Sequence, residues 1–368
     1  MKNKKYIVVI FLVICLFFAQ KNATSLVNDV SNQEVIPPNS IGTTQDWEYT
    51  VMDYLVHSPV ICDINRDGIK ETLFTAQDGE IYCLNESGQL NWMTAIGTDL
   101  CTSAPNIADL NKDGKMEILV CSNEFIYCLD ETGNAIWSRN TYMRLTSSPT
   151  VADLNNDSNM EVIVCDTTGK VWCFDNEGES LWFYHGAEPY WGGAAVADVD
   201  GDGFIEIIYG SMDHNVYCLS YDGTKEWNYT VNHYVDISPA IGDLDNDGTQ
   251  EIITICKETH TLYCLNHIGA VEWTYDLGGY VEGAPAIGDI DNDGYLEVIA
   301  QMNVAKIYCL NYTGLVEWQY DPVLTPDTDP ILADLNNDDY LEILFGVANE
   351  HLYCLNYTGE KWFDVEIQ

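Results

Sequence analysis

The stretch Asp243-Leu244-Asp245-Asn246-Asp247-Gly248-Thr249-Gln250-Glu251 sets oxygen-bearing side chains at positions one, three, five and nine of a nine-residue loop, with glycine at position six. Carboxylates gathered in one tight turn repel each other by about 4 kcal/mol per pair at 4 Å and an effective dielectric near 20. A hard cation reverses that sign. Calcium takes about six to eight oxygens from carboxylates, amides, backbone carbonyls and water, so the stretch predicts a calcium loop, with Gly248 permitting the sharp turn.

The loop occurs seven times. Position one is Asp63, Asp109, Asp153, Asp198, Asp243, Asp289 and Asp334, at spacings of 44 to 46 residues. Position three is Asn65, Asn111, Asn155, Asp200, Asp245, Asp291 and Asn336; position five is Asp67, Asp113, Asp157, Asp202, Asp247, Asp293 and Asp338. Position nine is always glutamate: Glu71, Glu117, Glu161, Glu206, Glu251, Glu297 and Glu342. The opening matches an EF-hand, but glutamate arrives three positions early and a strand run follows where that motif begins a helix. Turn chemistry alone would account for Asp, Asn and Gly in one loop, not for the same glutamate in all seven.

A period near 45 residues with four strand-like runs per repeat predicts an all-β fold, a seven-bladed β-propeller of four-stranded antiparallel blades over residues 46–368. In the second repeat the runs are Pro105 to Ala108, Glu117 to Val120, Phe125 to Leu129 and Ala135 to Trp137. Trp92, Trp137, Trp182, Trp227, Trp273 and Trp318 end successive repeats as packing residues, and Trp47 and Trp362 are read in the same frame. That makes one strand too many for seven loops. The surplus suits ring closure by the terminal Trp strands, with the Trp47 strand completing the last blade and Trp362 sharing or duplicating that role.

The formal charge is −43, and seven divalent ions would offset 14 of those charges and leave −29, which argues against nucleic acid and anionic membrane surfaces as partners. Residues 1–19 carry Lys2, Lys4 and Lys5 before an apolar run too short for a comfortable membrane span. They read as a signal peptide or N-terminal anchor, so a secreted or cell-surface location is expected. Residues 20–45, with Pro37-Pro38, read as a polar linker. Cys83, Cys128, Cys173, Cys218, Cys264, Cys309 and Cys354 hold one equivalent strand position, beyond the about 7 Å Cα limit for bridging neighbours, and read as small buried hydrophobes. Cys62, Cys101, Cys121, Cys165 and Cys256 leave room for one disulfide.

Up-and-down connectivity sends the acidic loops and the glycine turns to one face, and the longer post-Trp loops with the short second turns to the other. The second face varies between repeats and is the expected partner face. Its candidate partner-binding residues are Tyr54, Arg144, Tyr190, Trp191, His233, Tyr234 and Tyr280. No close His-x-His spacing supports a transition-metal site there. Asn-x-Ser/Thr sequons stand at Asn22, Asn85, Asn156, Asn228, Asn311 and Asn356, with Asn156 inside an acidic loop.

These loops resemble the FG-GAP or VCBS repeat, the calcium-loop blade of the integrin α-chain propeller. The resemblance covers about 320 residues and implies a seven-bladed ring with cations on one face and recognition on the other. Ser158 and Asp339 depart from it by replacing the turn glycine, which implies weaker third and seventh sites. The run Tyr308-Cys309-Leu310-Asn311-Tyr312-Thr313-Gly314-Leu315-Val316-Glu317-Trp318 also resembles the tryptophan-docking repeat of quinoprotein propellers, which typically present adjacent cysteines to the quinone. There is no Cys-Cys pair here, so no quinone is expected. The expected function is an exported recognition or adhesion module for an extracellular protein or glycan, with structural calcium and no catalytic residues. The alternative is a secreted polysaccharide lyase or other carbohydrate-active propeller.

Overall fold

A computed structural model of the protein describes residues 6–8, 47, 49–51, 57–97, 101, 103–186, 192–281, 283–303, 305–322, 325–326, 328–347 and 351–366. Among these residues the chain forms seven four-stranded antiparallel sheets, each built from consecutive strands of one repeat, plus one two-stranded pairing. The first sheet is Val60–Cys62, Glu71–Thr75, Glu80–Leu84 and Leu90–Ala95; the last is Ile331–Ala333, Glu342–Val347, His351–Leu355 and Lys361–Glu366.

Burial explains the sequence pattern of each strand. Six of the second strands, such as Glu251–Cys256 with a sheet packed on each side, are buried throughout and read as continuous apolar runs, whereas in the last sheet Leu344 and Gly346 of Glu342–Val347 are only half-buried. The fourth strands, such as Val271–Asp276, are outermost and alternate exposed with half-buried residues. First strands of consecutive sheets lie alongside one another from Asn106–Ala108 to Ile331–Ala333. Six apolar cores are each shared between neighbouring repeats, as where Leu110 and Leu119 of the second repeat meet Val162 and Phe174 of the third, and a seventh joins the first sheet to Trp47, Tyr49 and Val51.

The repeating cysteine is fully buried and pairs across strands with the ladder tryptophan, Cys173 with Trp182 and Cys264 with Trp273, just before a bulge. All described cysteines are free, so the disulfide left open by the sequence does not form among them. Burial pushes the Cys62, Cys83 and Cys121 thiols up to about 12, as expected of packing residues.

The two chain ends depart from the sequence reading. In the last sheet Cys354 pairs with Phe363, so Phe363 holds the ladder position and Trp362 lies one residue out of frame. The Trp47 strand does not complete that sheet, whose fourth strand is Lys361–Glu366; Tyr49–Val51 pairs instead with Tyr6–Val8. Trp47 nevertheless docks on the Gly88 turn of the first sheet, as the six ladder tryptophans from Trp92 to Trp318 each dock on the glycine turn of the next sheet. On the far side of the last sheet, Leu335 is 38% exposed, whereas its six equivalents from Ile64 to Ile290 are at most 2% exposed. Those six are covered by a following repeat.

Apart from Tyr6–Val8, residues 1–46 read as signal and linker lie outside the described residues. Among the described residues no helix is long and apolar enough to cross a membrane.

Candidate metal centres

Each acidic loop is folded by its own side chains. In the fifth loop the Asp247 and Gly248 amides donate to Asp243 Oδ1 and Oδ2, both at 3.0 Å, and the Thr249 amide donates to Asp247 Oδ1 at 2.8 Å. These turns bring positions one, three and five together. The glutamate at position nine opens the buried second strand, and its Oε2 accepts the amide of position two, at 2.8 Å for Leu244 on Glu251 and 3.1 Å for Ile64 on Glu71. Its other oxygen stays on the loop side, where Asn336 Nδ2 donates to Glu342 Oε1 at 3.1 Å.

The backbone at positions four and six is left-handed. Position six is glycine in five loops, with φ of +90° at Gly68 and +96° at Gly248; a Cβ would meet nothing within 4 Å at four of them and only the end of the Arg66 side chain, at 3.7 Å, at Gly114. Conformation, not space, selects glycine at this point. Ser158 and Asp339 hold the same geometry with φ of 82° and 71°, which costs an L-residue about 1–2 kcal/mol. Ser158→Gly and Asp339→Gly are therefore expected to raise stability by about 0.5–1 kcal/mol each, after glycine's own entropy cost, as read from urea unfolding midpoints. A loss of stability in either variant would show that the side chain serves the loop.

The loop electrostatics favour a cation. Burial, reinforced by the neighbouring aspartates and opposed by the amide bond, raises the Glu206, Glu251 and Glu342 carboxyls to about 7 and Glu297 to about 8. Glu71, Glu117 and Glu161 shift the same way from the same first cause. Such a carboxyl gains by facing positive charge.

In three loops, Asp198-Asp200-Glu206, Asp243-Asp245-Glu251 and Asp289-Asp291-Glu297, one oxygen from each residue lies within 4.8 Å of the others, a spacing that can hold a metal ion. The remaining loops carry Asn65, Asn111, Asn155 and Asn336 at position three and so present one carboxylate fewer at the four ligand positions. Buried Asp109 Oδ1 and Asn336 Oδ1 have no hydrogen-bond partner, as oxygens reserved for a metal would. The donor set, all hard oxygen, fits a hard divalent ion.

Two features here were not read from the sequence. Successive loops are stapled by backbone bonds, Ile205 N to Leu154 O and Leu296 N to Leu244 O, both at 3.0 Å. Basic side chains also cross between loops, Arg66 Nη2 to Asp109 Oδ2 at 3.1 Å and Lys112 Nζ to Asp153 Oδ2 at 3.4 Å. Position four of the motif signalled these contacts, because it is basic only in the first two loops.

Ring stacking places the acidic loops beside the glycine turns on one face: Phe204 on Tyr221, Tyr295 on Tyr312 and Tyr340 on Tyr357, at 4.3 to 4.5 Å between centroids. On the opposite face His233 stacks on His214 at 5.2 Å, and Tyr234 donates to Glu258 Oε1 at 2.8 Å. Tyr280 is exposed, and Arg144 is exposed beside Tyr142, which is 77% exposed with φ of 63°. Tyr142 and its exposed neighbour Met143 were missed by the sequence reading; the Tyr-Met-Arg run in a variable loop was the available signal. Tyr54, Tyr190 and Trp191 lie outside the described residues.

Residues 153–209 and 198–254 match the FG-GAP-like repeat, and residues 35–99 match the λ-carrageenase β-propeller domain. A 66-residue stretch is 32% identical to the λ-carrageenase of Pseudoalteromonas carrageenovora, spanning 18% of this chain but only 7% of that protein. BamB from Moraxella catarrhalis superposes with a TM-score of 0.63 at 15% identity, over 86% of this chain and 91% of that one. The quinohemoprotein alcohol dehydrogenase of Comamonas testosteroni gives 0.65 at 12% identity, over 86% and 67%. At these identities the two structures bear on fold alone. The chain is a repeat β-propeller-like protein whose central repeats are FG-GAP-like, with Asp/Glu clusters that could bind a metal ion.

Proposed function

We propose that this protein is an exported recognition module, a propeller stiffened by calcium in its acidic loops that binds a glycan through its second, variable face. The observation that carries the reading is the geometry of the fourth, fifth and sixth loops, where oxygens of two aspartates and a buried glutamate converge within 4.8 Å. Calcium is the ion that suits such an all-oxygen, flexible donor set. Each ion would tie the first strand of a sheet to the second, so its binding adds to folding. The likeness of residues 35–99 to a carrageenase propeller domain favours a glycan over a protein as partner. Exposed Tyr142 and Arg144 supply a ring for sugar stacking and a cation for an acidic substituent.

A glycan array probed with calcium and with EDTA tests this. Binding is expected with calcium, and Tyr142→Ala or Arg144→Ala should weaken it about tenfold or more while shifting stability by less than about 0.5 kcal/mol. Array binding unaffected by both substitutions would move the partner elsewhere. The same carrageenase likeness supports a second reading, a carbohydrate-active enzyme. Reducing-end release from a panel of acidic polysaccharides, abolished by Arg144→Ala or His233→Ala, would establish it in place of the first.

A further inference from the structure

Position four of the acidic loop is left-handed in all seven repeats, and in five of them it is Asn or Gly, the residues that tolerate that conformation: Asn156, Gly201, Asn246, Asn292 and Asn337. The first two loops break the pattern. Arg66 and Lys112 hold φ of 57° and 55° there, against local preference, and each reaches the next repeat to pair with the first ligand of its loop. Arg66 lies on Asp109 and Lys112 on Asp153, so a resident positive charge already answers the carboxylate that a metal would use. Both side chains are about half exposed and can swing away, whereas Asp109 and Asp153 are largely enclosed. The second and third loops also carry Asn at position three. The fourth to sixth loops have four carboxylates each and an uncharged position four.

We propose that Arg66 and Lys112 are internal competitors of calcium at the second and third loops, and that they divide the array into a tight class of sites at the fourth to sixth loops and a weak class that includes the second and third. This rests on the calcium reading above. Calcium entering the second loop must push Arg66 off Asp109 or bind with a cation a few ångströms away, and either route weakens it. When calcium is scarce the same side chains keep those two loops partly neutralised.

The test is calorimetric titration of the calcium-stripped full chain with calcium at low salt. The wild type should show two classes of site. The doubly substituted protein Arg66→Asn, Lys112→Asn, which installs the residue other loops carry and so relieves backbone strain, should move up to two weak sites about tenfold tighter. Arg66→Lys, which keeps the charge, should retain the wild-type isotherm. Added salt should shrink the difference, since screening weakens exposed charges. An isotherm unchanged or weakened by the double substitution, with calcium still bound by the wild type, overturns this proposal alone. No calcium uptake by the wild type overturns the calcium reading with it.

Discussion

Excess EDTA is expected to lower the thermal midpoint of the protein by roughly 15 °C and to open the acidic loops to proteases. The three loops with converging carboxylates supply most of the effect. A site held at a hundred times its dissociation constant contributes about 2.7 kcal/mol, so three contribute about 8 kcal/mol. In a chain of this size each kcal/mol moves the midpoint by roughly 2 °C. Losing the ions also restores repulsion among carboxylates whose buried glutamates already sit high, Glu297 at about 8 and Glu206 and Glu251 at about 7. Cleavage should appear first between Asp198 and Glu297, where no basic side chain crosses to a neighbouring loop. Readding calcium should restore both properties, and magnesium should do so poorly, because it resists dehydration and demands a smaller octahedral shell. A midpoint and a protease pattern indifferent to EDTA would remove metal from the account of this fold.

The sheets were legible because each strand's burial is written in its composition. Glu251 to Cys256 is apolar on both sides and Val271 to Asp276 alternates, so second and outer strands were distinguishable without coordinates. The faces followed from strand direction alone, and the stacking of Tyr295 on Tyr312 places an acidic loop beside a glycine turn as that reasoning requires. What escaped depended on matching ends in space. A single-residue offset separates Trp362 from Phe363, and only the pairing with Cys354 assigns the ladder position. The Trp47 strand carries the right pattern for an outer strand, yet the last sheet already owns one, which no repeat count could reveal. The Asn-x-Thr pattern before Gly314 and Gly359 has a turn-forming role: Asn311 Oδ1 caps its turn, accepting the Thr313 amide at 3.1 Å and the Thr313 hydroxyl at 2.8 Å. The Arg66 contact with Asp109 spans 43 residues and is matched only by Lys112 on Asp153, so its one trace in the sequence is the basic residue at position four of the first two loops.

Gly223→Ala is expected to destabilise the protein by about 3–4 kcal/mol, an unusually large effect for one added methyl group on a surface turn. Gly223 has φ of +81°, and a Cβ there would sit 2.6 Å from Trp182 Cε3 and 2.7 Å from Cδ2. The left-handed backbone accounts for about 1–2 kcal/mol and the collision with a packed ring for about 1–3 kcal/mol. Trp182 cannot yield freely, because its Nε1 donates to the Tyr221 carbonyl at 2.9 Å and its strand is held by pairing with Cys173. Trp182→Ala alone should cost about 3–5 kcal/mol through lost packing between the third and fourth repeats. The two changes should not add. With the ring gone, Gly223→Ala retains only its backbone cost of about 1–2 kcal/mol, leaving a coupling of about 2 kcal/mol in a double-mutant cycle read from urea unfolding. Gly248→Ala provides the comparison: φ is +96° but nothing lies within 4 Å of the added carbon, so only the backbone cost should appear. Additive losses in the cycle, or equal losses at Gly223 and Gly248, would mean that the tryptophans do not dock sheet to sheet. The repeats would then be joined by their apolar cores alone.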